Sequence, residues 1–495
     1  MTLASTPYYK HLSLLIIHLY VIICIEAFNQ IVNTECEQKK RYIGPFSQAE
    51  LEAEIGPFQT SPISIIPKPG PPEKFRMVQN LSYSRNAHPV PSINAPIDTS
   101  QFPSTWGTFA TMCALIASIP PGTEAAVRDV SEAYRTIPIK QEQWPGLVVR
   151  LDGEDHFAVD TCCCFGLASS AGIHGIIGDA GADLMRAHGI GPIAKWVDDH
   201  IFFRLPRHQM VPYNKFRANM RQTIIDNGGQ KQKGGRMWFT GETWPDGHSE
   251  EWHEDMQFPI KTFPQQNPNQ THAYDIQDID DISKFLGIPW QISKDIPFAT
   301  TTTFIGLEWD LKNKTVSLPE KKIQKYRKAI TEWQTTRTHD LQELQKLYGK
   351  LLHATNVHTH GRAYLTGLEA MFPIFRDDPF KPRTPPHSVS TDLNWWDQIL
   401  AKPPTPCPIP SPVKIHNVQA YSDASSSTGI GIVIGNKWRA WILVEGWQTD
   451  GRDIGWAEAI GFELLTSTVT KTHPNIKHFQ IYGDNQGIIE GWWNE

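Results

Sequence analysis

Two adjacent carboxylates, Asp198 and Asp199, interrupt the apolar stretch Lys195-Trp196-Val197-Asp198-Asp199-His200-Ile201-Phe202-Phe203. Ile193, Val197, Ile201 and Phe203 read as extended chain, which predicts a tight hairpin with both acids at its tip. Neighbouring carboxylates repel, and a hard divalent cation, which takes oxygen ligands, relieves that repulsion. For an isolated Asp-Asp pair a solvated turn is the commoner outcome, so a metal site requires a third acid on a strand alongside. Asp129 meets that requirement: it ends a short apolar run, and Ala133, Tyr134 and Ile137 follow it at helical spacing. A second acid set lies near the C-terminus. Asp423 falls in the strand-like Val418–Ser425, Glu458 in the helical pattern Trp456–Glu463, and Asp484 ends the strand-like run from Ile481. Three acids converging from strand, helix and strand end can hold a metal pair for in-line hydrolysis.

Asp129, Val130, Ala133, Tyr134, Ile137, Pro138 and Ile139, with Trp196-Val197-Asp198-Asp199 about 70 residues later, resemble the first and third catalytic blocks of reverse transcriptases. Two blocks in order at that spacing are a specific signal. The resemblance covers about residues 58–225 and 301–495. It implies that Asp129, Asp198 and Asp199 bind two Mg2+ ions. It implies that Tyr134 lies under the incoming sugar and selects deoxynucleotides, and that Phe165 and Gly166 belong to the second block, against template–primer and incoming base. It also implies that Lys68 and Arg76, on the two strands of a fingers hairpin, contact the nucleotide phosphates. A general-acid lysine is implied before the primer grip, with Lys284 and Lys294 as candidates. Asn80-Leu81-Ser82, Ser92-Ile93-Asn94, Phe165-Gly166-Leu167, Leu347-Tyr348-Gly349-Lys350-Leu351 and Gly361-Arg362-Ala363-Tyr364-Leu365 resemble the DIRS-like branch of retrotransposon enzymes. Cys164 departs from the proline of that branch. The order Asp423, Glu458, Asp484 resembles a ribonuclease H, which implies a second Mg2+ pair. The family carries a fourth acid on a later helix, so with the chain ending at Glu495 the expectation is a C-terminally truncated nuclease, weak or inactive.

The elements that must position these residues follow from pattern. Ser61–Lys68 and Lys74–Val78 read as two strands around a Gly70-Pro71-Pro72 turn, with cations suited to a triphosphate. Residues 101–128 read as a core helix feeding the Asp129 strand. Leu147–Val149 and Phe157–Val159 read as a hairpin around Asp152-Gly153. A helix is expected from His208 to Asp226. Phe304–Asp310 with Thr315–Leu318 resembles the primer-grip hairpin. Glu320–Thr335 reads as a basic amphipathic helix. Asp340 caps a second helix with a Leu341, Leu344, Leu347, Leu351, Leu352 stripe. Such basic helices can track a nucleic-acid backbone.

At 495 residues the chain should hold more than one domain. Its net charge of −6 is weak evidence against a nucleic-acid binder, since local basic tracts still supply phosphate contacts. The seven cysteines, three of them consecutive, show neither a disulfide ladder nor zinc spacing, which favours a reducing compartment. The apolar run Leu12–Phe28 reads as a signal peptide or marginal anchor, with a buried helix or a mis-joined first exon as the other readings. The expected divisions are an apolar segment (1–30), fingers and palm (45–225), a polar and acidic insertion (226–300), primer grip and thumb (301–375), a Pro-rich linker around a short Trp395-Trp396 helix (376–413), and the ribonuclease H-like domain (414–495). The expected architecture is thus an α+β polymerase right hand (fingers, ferredoxin-like palm, helical thumb) followed by an α/β ribonuclease H-like domain.

The resemblance implies an RNA-directed DNA polymerase of a retrotransposon, a nucleotidyltransferase whose partners are RNA template, DNA primer and product, and deoxynucleoside triphosphates. Its ribonuclease H activity and oligomeric state are left open. Location is expected to be cytoplasmic or nuclear, with a membrane involved only if residues 12–28 are an anchor. The alternative reading is a decayed or domesticated element that binds nucleic acid without turnover.

Overall fold

The computed structural model describes residues 39–68, 74–83, 90–102, 104, 106–151, 155–226, 228–231, 236–240, 250–254, 256–264, 271–376, 378–409 and 415–493. The apolar run 12–28 and the turns at Gly70-Pro71-Pro72 and Asp152-Gly153 lie outside them. No helix among the described residues is long and apolar enough to cross a membrane.

Strand β1 (Tyr42–Phe46) and helix α1 (Gln48–Ile55), which starts at a Ser47/Glu50 capping box, lead into the hairpin β2 (Ile63–Lys68) and β3 (Lys74–Gln79). The hairpin is antiparallel, with Lys68 opposite Lys74 and Ile66 opposite Arg76. Helix α2 (Phe109–Ser118) is almost wholly apolar and accordingly buried; it runs into β4 (Glu124–Asp129). A short 3-10 turn at Ala133–Thr136, rather than a longer helix, follows. Strands β5 (Val148–Arg150) and β6 (Phe157–Asp160) join β1 in one sheet. Helix α3 (Ser170–His188), capped by left-handed Gly189, leads to β7 (Ile193–Trp196) and β8 (Asp199–Arg204), then α4 (Met210–Asp226). Strands β9 (Gln230–Lys231), β10 (Arg236–Thr240) and β11 (Glu250–Glu254) form a small sheet that sets Trp238 opposite Trp252.

Helix α5 (Ile276–Leu286) and strand β12 (Ile296–Ala299) lie within 226–300, the segment read as a polar and acidic insertion. β12 is the edge of a four-stranded antiparallel sheet in the order β12-β4-β8-β7. Tyr274 is fully buried beneath it and donates from its hydroxyl to the Phe203 carbonyl at 2.7 Å. The acids of the run at 275–281 have partners within the fold. Asp275 N-caps α5 and pairs with Arg204, Asp278 completes the capping box, and Asp280 pairs with Arg128.

Strands β13 (Thr301–Phe304), β14 (Leu307–Asp310) and β15 (Thr315–Ser317) form a meander. Phe304–Asp310 is therefore two strands, split at Ile305 and Gly306, which both take positive φ (48° and 75°). Helices α6 (Glu320–Gln334) and α7 (Leu341–Ala354) follow, α7 behind an Asp340/Glu343 capping box. His353 of α7 joins Tyr326 of α6 (2.9 Å) to the carbonyl of Ile305 (3.0 Å), tying both helices to that turn. Residues 376–413, read as a Pro-rich linker around a short Trp395-Trp396 helix, contain a helix over those tryptophans. Helix α8 (His387–Leu400) buries Trp396 fully, packed on Gly361. Strand β16 (Cys407–Pro408) then adds to β15. The prolines that suggested a linker sit at the ends of α8, where a missing N–H costs little.

The C-terminal unit orders its strands β19-β18-β17-β20. β17 (His416–Ser425), β18 (Gly429–Ile434) and β19 (Lys437–Ile442) are antiparallel, and β20 (Phe479–Tyr482) runs parallel to β17. Helix α9 (Ile454–Thr472) crosses between β19 and β20, and α10 (Gln486–Trp493) follows. α9 packs closely on β17 because Gly461 carries no side chain; a Cβ there would lie 2.4 Å from Ser422 Oγ.

Candidate active sites

The two strands that carry the first acid set are neighbours in one sheet. β4 pairs antiparallel with β8 in a register that sets Asp129 opposite Asp199. The β7–β8 hairpin closes on the pair Trp196 and Asp199, so its loop is Val197-Asp198 alone. Asp198 thus stands in the loop, while Asp199 is the first residue of β8 rather than part of the tip. Val197 takes φ 53°, a costly value for a β-branched residue, and such strain gathers at functional turns. The loop is fixed to β4 by the Val130 amide, which donates to the Asp198 carbonyl at 2.9 Å.

The electrostatics match the geometry. Burial, then repulsion from Asp198 and Asp129, push the Asp199 carboxyl up to about 6. Lys294 opposes that rise; its ammonium lies 2.9 Å from Asp129 Oδ2 on a side chain 62% exposed. Of the two lysine candidates, the structure brings Lys294 to these acids. Carboxylates crowded until one of them resists ionisation are a fit for a divalent cation. The three are not drawn together as tightly as the C-terminal set, however. Among the described residues, only Asp423, Glu458 and Asp484 bring carboxylate oxygens within 4.8 Å of one another as a group.

Tyr134 faces this site. Burial and the nearby Asp198 charge raise its hydroxyl above the ordinary range. Its ring lies 5.3 Å from that of Phe165 and 5.5 Å from that of His174, centroid to centroid, so Tyr134 and Phe165 form one aromatic wall. Gly166 is packed against backbone of this chain. At φ 112° its missing Cβ would lie 2.1 Å from the backbone oxygen of Gln79 on β3. The close approach is protein to protein, and Asn94 seals it by donating to the Gly166 carbonyl (2.8 Å) and accepting from the Ala168 amide (2.9 Å). Lys68 and Arg76 lie on the β2–β3 hairpin, but their side chains fall outside the described residues.

Sequence reasoning missed a buried polar network behind Tyr134. Asp160, fully buried, accepts from Arg135 Nη1 at 2.8 Å and from Gln79 Nε2 at 3.0 Å, and Gln79 also reaches the Tyr42 hydroxyl at 3.1 Å. Burial pushes the Asp160 carboxyl up, and Arg135 pulls it back. The network joins β1, β3, β6 and the turn after Asp129. Its one signal in the sequence is an acid ending the otherwise apolar Phe157-Ala158-Val159-Asp160.

In the C-terminal unit, Asp423 lies on β17, Glu458 on α9, and Asp484 just beyond β20. Asp423 and Asp484 are exposed and Glu458 is buried. Glu458 Oε1 accepts from the Ala424 amide at 3.3 Å, while its buried Oε2 has no hydrogen-bond partner. Burial, with the charges of Asp423 and Asp484, raises the Glu458 carboxyl. A buried carboxylate that converges with two other acids fits a cation between them.

No known protein-family profile matches the chain, and no curated protein matches it. Among solved structures, the chain is similar to the foamy viral protease-reverse transcriptase dRH in complex with double-stranded DNA, at TM-score 0.42 and 12% identity over 93% of this chain and 63% of that one. It is similar to the foamy viral protease-reverse transcriptase in complex with double-stranded DNA at TM-score 0.40 and 13% identity, over 94% and 75% of the two chains. For the same protein in complex with an RNA/DNA hybrid the values are 0.38 and 12%, over 86% and 51%. The chain spans less than two thirds of the length of the first and third. All three TM-scores lie below 0.5, a similarity too weak to define a function.

Proposed function

We propose that this chain is an RNA-directed DNA polymerase that extends a DNA primer on an RNA template with deoxynucleoside triphosphates. The observation that carries the reading is the register of β4 and β8, which sets Asp129 opposite Asp199 with Asp198 in the adjoining loop. The sheet order β12-β4-β8-β7, with α3 between β4 and β7 and α5 between β8 and β12, supports a ferredoxin-like palm within a right-handed polymerase. Asp129, Asp198 and Asp199 would hold Mg2+, whose charge, when bound, lowers the cost of ionising the primer 3′-hydroxyl and of the phosphoryl transition state. Tyr134 and Phe165 form the wall against which the incoming sugar rests, and the bulk of Tyr134 excludes a 2′-hydroxyl. Lys294 holds a proton within reach of the site and gives it to the leaving pyrophosphate. Lys68 and Arg76 bind the triphosphate.

A second activity, ribonuclease H cleavage of the RNA strand in a hybrid, is favoured by the convergence of Asp423, Glu458 and Asp484 within 4.8 Å. The strand order β19-β18-β17-β20 with β20 parallel to β17 supports an α/β ribonuclease H-like unit. These acids would hold a second Mg2+ pair.

The test is primer extension on an RNA template with Mg2+, using the full chain beside an Asp198→Asn, Asp199→Asn double variant. Extension by the parent and none by the variant is expected. No extension by either, with the hybrid still bound, would replace this reading with that of a non-catalytic nucleic-acid binder.

A further inference from the structure

Arg128 is an anomaly in the sequence Glu124-Ala125-Ala126-Val127-Arg128-Asp129: a guanidinium on a central strand of a buried sheet. Its side chain is 2% exposed. An apolar residue would fill that place at far lower desolvation cost, so the charge calls for a reason. Consecutive residues on a strand face opposite ways, so Arg128 points away from the side on which Asp129 presents its carboxylate.

What Arg128 touches supplies the reason. One arm of its fork pairs with Asp280 on α5, and the other reaches Asp295 Oδ2 at 2.8 Å. Its guanidinium carbon lies over the Trp290 ring, 5.0 Å from the ring centre. Trp290 and Asp295 bracket the segment that carries Lys294. That segment is stitched to the acid strand by further bonds: Val130 bridges to Trp290, the Ser131 amide donates to Pro289 O at 2.7 Å, and the Gln291 amide donates to Asp129 O at 2.8 Å. The loop therefore wraps the end of β4. On one face it is clamped by Arg128, and on the other it delivers the ammonium of Lys294 to 2.9 Å from Asp129.

We propose that Arg128, with Asp280 and Asp295, is a positioning device for Lys294: the buried guanidinium pins residues 289–295 so that the lysine meets the catalytic carboxylate. Lys294 is 62% exposed, and its pair with Asp129 is a weak hold on a long, solvated side chain, which needs a second restraint. Clamping its neighbour at Asp295 supplies that restraint through the backbone. Arginine suits the task because its planar fork spans two carboxylates and a ring at once, which a lysine cannot do. The device also gives a role to part of the acidic run at 275–281. This inference rests on the polymerase reading.

The test is single-turnover incorporation of one deoxynucleotide by full-length Lys294→Ala, Asp295→Ala, Arg128→Met and the Lys294→Ala, Asp295→Ala double variant. Each single change should lower the maximal rate by about tenfold or more, with nucleotide affinity within about twofold of the parent. The double variant should be no slower than Lys294→Ala, because Asp295 acts only through Lys294. Where Arg128→Met fails to fold, Asp295→Ala, at a partly exposed site, carries the test alone. Rate losses that multiply in the double variant, or an unchanged rate in Asp295→Ala, would overturn the device and leave the polymerase standing. A parent that incorporates nothing overturns both.

Discussion

Replacing Asp199 by asparagine should abolish polymerisation and at the same time make the metal-free protein more stable. The Asp199 carboxyl is pushed from the ordinary 3.8 up to about 6 by burial and by Asp198 and Asp129. A rise of about two units corresponds to roughly 3 kcal/mol of penalty on the ionised form. Part of the side chain meets solvent, so screening brings the expected figure to roughly 2 kcal/mol. The sign follows from proton uptake. Between pH 4 and 6 the folded chain holds a proton at Asp199 that the unfolded chain has released, so folding loses stability as pH rises through that window. Below the window both states are protonated and the penalty vanishes. Asp199→Asn lacks the penalty at every pH. In EDTA, urea unfolding followed by tryptophan fluorescence should show the variant ahead of the parent by roughly 2 kcal/mol at pH 8 and level with it at pH 4. Adding MgCl2 should stabilise the parent by binding its folded state and narrow the gap at pH 8. An Asn variant that is less stable than the parent at pH 8 in EDTA would refute the reasoning, because it would mean that Asp199 is satisfied by protein contacts alone. A gap of the same size at both pH values would refute the electrostatic origin.

Two further outcomes follow from the same geometry. Gly166→Ala forces a Cβ to 2.1 Å from the Gln79 carbonyl at φ 112°, so it should cost about 3 kcal/mol or more in urea unfolding; a loss below about 1 kcal/mol would show that the approach of β3 is not needed. Glu458→Gln removes the repelled carboxylate whose Oε2 lacks a partner. It should abolish Mg2+-dependent cleavage of the RNA strand and raise the thermal midpoint in EDTA. Because the Glu458 carboxyl is raised, the parent should lose stability as pH rises through its titration, and the variant should not.

The chemistry of this chain was legible wherever it is local. A hairpin around Asp198, the strand ending at Asp129, the Asp340 cap and the Leu344, Leu347, Leu351 stripe all follow from patterns within one element, and the structure contains each of them. Such patterns survive because period and capping depend on residues only a few positions apart. The acids of the two candidate sites were singled out by the resemblance of their order to reverse transcriptases and ribonuclease H. What the tertiary structure decided is every pairing that joins distant residues. The register that sets Asp129 against Asp199 depends on how two strands about 70 residues apart align. The choice of Lys294 over Lys284 depends on the edge strand β12 folding back along β4. The acids at 275–281 were placed only in a polar and acidic insertion; that Asp278 caps a helix and Asp280 pairs with Arg128 depends on contacts across the fold. The prolines around Trp396 were read as a linker around a short helix; that this helix buries its tryptophan wholly was decided by packing. Gly166 shows the same division: a glycine before a small-residue helix start signals a close approach, but its positive φ and the Gln79 backbone it admits are known only once the chain has closed on itself.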